Sequence, residues 1–142
     1  MIWHNPRVWE IHFDEYGNYT GDYFNLEDRT RWVDNINYLH QESLKFTRNY
    51  EIIPLVIHQI GHIDTAGWFN AVETNLQTIA NQIGAVIKPR GFWTEQTPYV
   101  TDFNRIEQGM EIIKTQIEKV LSSLHGMPLK MGDRGVDVLW LT

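Results

Sequence analysis

His58, His62 and Asp64, in the stretch HQIGHID, come closest in this chain to metal-ligand spacing. On a helix, two histidines four apart share a face and can hold one divalent ion through their ring nitrogens. Gly61 and the β-branched neighbours argue against a helix there, and no glutamate lies between the pair as it does in metalloproteases. On a strand or loop the four-residue step loses its meaning. The histidines therefore read first as structural or surface residues and second as metal ligands.

A second chemical candidate is KPRGFW, in which Lys88 and Arg90 stand beside Phe92 and Trp93. Cations beside aromatic faces can stack on sugar or contact an anionic polymer such as a wall teichoic acid. The plainer reading packs Phe92 and Trp93 onto the body of the protein. Two carboxylate pairs, Asp14 with Glu15 and Glu27 with Asp28, invite a hydrolase reading. Sequence neighbours do not face each other on a helix or strand, so exposed pairs at a turn and at a helix N-terminus are the ordinary expectation. The chain shows no glycine-rich phosphate loop, nucleophile elbow or Ser/His/Asp arrangement. No catalytic residue and no cofactor follow from these patterns.

Composition bounds the rest. The 142 residues suit one domain with a core of its own, and 42% apolar with 21% charged residues is a globular balance. Six Trp, six Tyr and six Phe must fill a core or furnish an interface. A net charge of −6 disfavours nucleic acid as the main partner, because phosphate binding needs a basic surface. Cysteine is absent, which removes disulfides, thiolate zinc sites and Cys nucleophiles. The start, MIWHNPRVWEIHF, lacks the pattern of a signal peptide, and no run approaches the roughly 20 apolar residues that span a bilayer. A soluble chain without membrane partners is expected.

The elements that must position these residues are written in a repeated phrase. WFNAVETNLQTI and DFNRIEQGMEII superimpose Phe69 on Phe103, Asn70 on Asn104, Val72 on Ile106, Leu76 on Met110 and Ile79 on Ile113. DRTRWVDNINYL supplies a third copy, with Trp32, Ile36 and Leu39 in the same apolar slots. Asn35 and Asn75 match, and Gly109 holds that place in the last copy. Steps of three and four predict helices over about 26–47, 67–83 and 102–125. Asn25 would cap the first, Asp64 or Thr65 the second, and Thr101 or Asp102 the third; Gly84 and Gly126 would end the last two. One amphipathic helix cannot bury its stripe alone, but three can bury theirs together, with the aromatic near each start sealing one end. The heptad step of the third helix would also suit self-association, although an intrachain bundle uses the same stripe.

The connections are extended in character. RVWEIHF alternates Val8, Glu10 and His12 against Trp9, Ile11 and Phe13, a half-buried strand, and DEYGN supplies a turn after it. EIIPLVIHQI is rich in β-branched residues, with Pro54 confining it to an edge, and GVDVLWLT reads as extended. The expectation is a mainly α single domain, 1–142, with an extended segment at 1–24. A three-helix bundle with long connections follows at 25–126, and a second extended segment at 127–142.

GDYFNLEDRTRWVDNINYL, GWFNAVETNLQTIANQIG and TPYVTDFNRIEQGMEII resemble segments of minor structural proteins from the distal tail of phages and prophages of Gram-positive bacteria. In those proteins a DYFN-x-ED phrase precedes further FN-x-[IV]-E-x-N helices. Thr30, Trp32 and Gly109 depart from the family phrase, and the likeness covers about residues 20–120. The resemblance implies a non-enzymatic virion protein, made in the host cytoplasm, serving as a tail or baseplate connector or as a host-adsorption component. Other tail proteins, host cell-wall carbohydrate and further copies of the chain are the partners it implies. A small metal-dependent or carbohydrate-active enzyme using His58 to Asp64 stays open as the alternative.

Overall fold

The computed structural model describes residues 2–10, 12–21, 24–57, 66–88 and 100–125. Three helices, α1 (Leu26–Ser43), α2 (Ala66–Ile83) and α3 (Val100–His125), each pack against the other two. The fold is a small, mainly α three-helix bundle. Among the described residues there is no strand, only one bridge between Phe13 and Tyr19.

The repeated phrase builds the core layer by layer. Trp32, Val72 and Ile106 form one buried layer, Ile36, Leu76 and Met110 the next, and Leu39, Ile79 and Ile113 a third. Ser43, Ile83 and Ile117 close it, the serine hydroxyl donating to the His40 carbonyl at 2.7 Å and bonding the Tyr50 hydroxyl. Burial pushes the Tyr50 phenol above its ordinary value against the opposing Ser43 bond. At the other end Phe24 sits within 6.0 Å, centroid to centroid, of Trp9, Trp32, Trp68, Phe69 and Phe103. The aromatics do seal that end.

Asn25 caps α1 as expected, accepting from the Asp28 amide at 3.0 Å while the Asp28 carboxylate accepts from the Asn25 amide at 3.0 Å. Helix α1 ends at Ser43, earlier than its apolar pattern suggests, because the Ser43 hydroxyl competes for a helical carbonyl and residues 44–47 form a turn. Gly84 stops α2 with φ +76, and the Ala85 amide reaches back to the Ala80 carbonyl at 2.9 Å. Helix α3 starts at Val100, so Thr101 and Asp102 lie inside its first turn and neither is the cap. Asp64, Thr65, Gly126 and the segment 127–142 lie outside the described residues.

The helices grip the extended segments. His4 gives its amide to Asn35 Oδ1 at 2.8 Å and its carbonyl receives Asn35 Nδ2 at 2.9 Å. Asn75 grips both main-chain groups of Ile53 in the same way, at 2.7 and 2.8 Å. Asn104 does so for Trp9, at 2.8 and 3.4 Å. A carboxamide carries a donor and an acceptor in the geometry of a peptide group, so each asparagine replaces a neighbouring strand. That is how the segments 2–10 and 50–57 are held against the helices without forming a sheet. Asn104 lies in the first turns of α3, yet its side chain serves the N-terminal strap and not its own helix. RVWEIHF keeps the expected alternation only in part. Trp9 is buried and Val8, Glu10 and His12 are exposed, yet Phe13 is also exposed because the chain has left the helices by then.

Candidate functional site

The densest chemistry lies where the strap 2–10 crosses α1 and α3. Glu107 on α3 is 2% exposed and its carboxylate accepts five hydrogen bonds. Arg31 donates Nε at 3.1 Å and Nη2 at 2.8 Å, Trp32 donates Nε1 at 3.0 Å, Trp9 donates Nε1 at 3.1 Å, and the Arg7 amide donates at 2.8 Å. Asp28 on α1, 1% exposed, accepts from Arg31 Nη1 at 2.7 Å and from Arg7 Nη1 at 3.0 Å. The Arg7 guanidinium lies 4.3 Å from the Trp9 ring centroid. Two carboxylates thus face two guanidiniums under an aromatic lid, and the charges balance where they are least hydrated.

The exposed reading of Glu27 and Asp28 is therefore half wrong. Glu27 is exposed, but the capping geometry turns Asp28 inward to the two arginines. Asp14 stands where a turn residue should. The Asn18 amide holds its carboxyl below the ordinary aspartate value, aided by the Asn18 side chain and the Tyr16 amide.

The same device recurs one interface on. Arg105 on α3 donates to both Glu73 oxygens on α2, at 2.9 and 2.8 Å, and to Asp102 at 3.4 Å. Burial works against its charge, but Glu73 and Asp102 outweigh that and raise its pKa. In the repeat, Arg105 falls on Arg31, Asp102 on Asp28 and Glu73 on Glu107. The pairing runs cyclically, from α1 to α3 and from α3 to α2. At the remaining interface the three places hold Trp68, Ala71 and Val33, and Trp68 stacks nearly parallel on Trp32 at 6.3 Å. An aromatic contact replaces the ionic one.

Sequence reading missed this cluster, although its signal was present. Asp and Arg recur three apart in the first and third copies, Glu recurs in the second and third, and NPR before Trp9 echoes KPR before Phe92. Each polar column recurs in only two of the three copies, whereas the apolar slots recur in all three.

As chemistry, the cluster is a fastener. A carboxylate has about four lone-pair directions, and Glu107 uses them all on protein donors. It has no acceptor capacity left for a substrate proton. Of the residues singled out for binding, Lys88 is exposed, its carbonyl accepting from Arg105 Nη1 at 2.8 Å. Arg90, Phe92 and Trp93, and the metal candidates His58, His62 and Asp64, lie outside the described residues. Among the described residues no group of three His, Asp or Glu is arranged to hold a metal, and no helix is long and apolar enough to cross a membrane. No known family, no curated protein and no solved structure matches this chain.

Proposed function

We propose that the chain is a non-enzymatic structural protein of a phage particle, a connector in the tail or baseplate or a host-adsorption component. One observation carries this reading. The residues that bear the resemblance to distal-tail proteins are the ones the bundle uses to hold itself together. Phe24 is the hub of the aromatic end and Asn25 caps α1. Asn75 and Asn104 clamp straps, and Glu73 and Glu107 receive arginines from the neighbouring helix. A phrase that specifies a scaffold suits a protein whose work is to be built into an assembly.

The test is to locate the chain. Particles purified from cells that produce them, analysed by quantitative mass spectrometry, are expected to contain it at a fixed ratio to the other tail proteins. Its absence from particles, with the chain present in the lysate, would end the proposal. Host cell-wall binding by the purified chain, lost in Trp93→Ala, would place it among adsorption components; particle incorporation without wall binding would place it among connectors.

A further inference from the structure

The three units of the bundle share one plan, and the first departs from it in one place. In each unit a residue ahead of the helix lies against one position of the repeat: His4 on Asn35, Ile53 on Asn75, and Ile87 against Gly109, whose added Cβ would lie 3.9 Å from Ile87 Cγ2. The strap anchor and the helix anchor are 22 residues apart in the second and third units and 31 apart in the first. The helices begin at matching positions, Leu26, Ala66 and Val100. The nine extra residues therefore lie between strap and helix, where the chain turns at 12–20.

That insertion adds nothing to the core yet is well ordered by its own bonds. Asp14 and Asn18 close the turn through an amide-to-carbonyl bond at 2.8 Å, Gly17 takes φ +82, and the Thr20 amide donates to the His12 carbonyl at 2.8 Å. The Tyr19 hydroxyl donates to the Glu10 carbonyl at 2.9 Å, and Gly21 closes the base so tightly that a Cβ there would collide with Glu10 and Tyr19. The device displays two large rings to water: Phe13 is 64% exposed and Tyr16 81%. Around them stand the exposed Glu10 and Glu15 beside Asp14, and no lysine or arginine occurs from residue 8 to residue 28.

We infer that the 12–20 hairpin is the docking element of this protein, inserting Phe13 and Tyr16 into an apolar pocket rimmed by Lys or Arg on a neighbouring protein of the same particle. The inference rests on the structural-protein reading above. A convex tip needs a concave partner, which a folded protein supplies and a flexible glycan strand does not. Tyr and other aromatics dominate binding energy when they enter desolvated pockets, and a turn already closed by its own bonds loses little freedom on docking. The carboxylates repel teichoic acids, nucleic acid and anionic headgroups, and attract a basic rim.

The experiment compares the full chain with Phe13→Ala/Tyr16→Ala, with Glu10→Lys/Glu15→Lys, and with Val86→Ala, an exposed apolar control outside the hairpin. Circular dichroism and thermal unfolding establish that each variant folds. Incorporation into particles is then measured by mass spectrometry, and binding to purified host cell walls is measured beside it. Both hairpin variants are expected to fold and to fall about tenfold or more in incorporation, with Val86→Ala unchanged. Folded hairpin variants incorporated like the wild type would overturn the docking role and leave the structural-protein reading standing. Equal loss in Val86→Ala would do the same, as would loss of wall binding alone, which would assign the hairpin to a glycan. Absence of the wild-type chain from particles would instead overturn both. A fourth variant, lacking residues 12–20, is expected to fold and to stay out of particles.

Discussion

Glu107 shows how one side chain joins three parts of the molecule. Standing on α3, its carboxylate takes donors from the strap (Arg7, Trp9) and from α1 (Arg31, Trp32). Removing one member of a buried ion pair leaves the rest uncompensated, at a cost of about 3–5 kcal/mol. Glu107→Ala is therefore expected to lower the unfolding free energy by about that amount in urea titrations. Tryptophan emission should shift as well, because Trp9 and Trp32 lose the acceptor for their indole N–H groups. Glu107→Gln, which keeps one acceptor oxygen, should fall between. Asp14 makes a pH prediction. Its folded pKa is depressed, chiefly by the Asn18 amide, so its stabilisation is present above the unfolded value and disappears as pH falls through the folded one. The Tyr16 and Asn18 amide resonances should hold steady at pH 5 and move only under more acidic conditions than an ordinary aspartate requires. In Asp14→Ala they should be displaced at every pH.

At the scale of elements, the straps are where the fold exceeds its periodicity. Each helix was legible from apolar steps of three and four, because burial of a stripe imposes the helical period on the sequence itself. The straps carry no such period, since a side-chain amide on a distant helix satisfies their main chain in place of an adjacent strand. Asn35 and Asn75 each clamp a strap through the same repeat position, while Gly109 lets Ile87 approach a bare helix surface. A methyl group at 109 would meet Ile87 at ordinary van der Waals distance, and alanine is the better helix former by roughly 0.5–1 kcal/mol. Gly109→Ala is thus expected to raise the thermal midpoint by a few degrees with the helical spectrum unchanged. A lower midpoint would mean that Ile87 needs more room than this packing shows.

Among the described residues the three helices repeat one packing plan, with a nine-residue insertion ahead of the first. Helix α3, at 26 residues against 18 in each of the others, runs about 12 Å further, and Val120, Leu121 and Leu124 pack partly against the core there. Ile106, Met110, Ile113 and Ile117 of its heptad stripe are buried within the chain. The stripe is therefore occupied by the protein's own bundle. Deleting residues 12–20 would restore the spacing of the other two units. That variant is expected to unfold cooperatively within a few degrees of the parent, since the deleted side chains contribute nothing to the core. A non-cooperative melt would show that the hairpin supports the bundle.

The sequence by itself determined three helices, their buried faces, the Asn25 cap and the Gly84 stop, because each depends on residues within a turn or two of one another. It left Asp28 looking exposed and its link to Arg7 and Arg31 unseen. It also left Glu107 as one more polar residue on an amphipathic helix. Only the tertiary structure decided those matters, because Glu107 meets Arg31 across 76 residues and the Arg7 amide across 100. Contacts at such separations leave no period in the chain, and which carboxylate faces which guanidinium is decided only when the helices pack side by side.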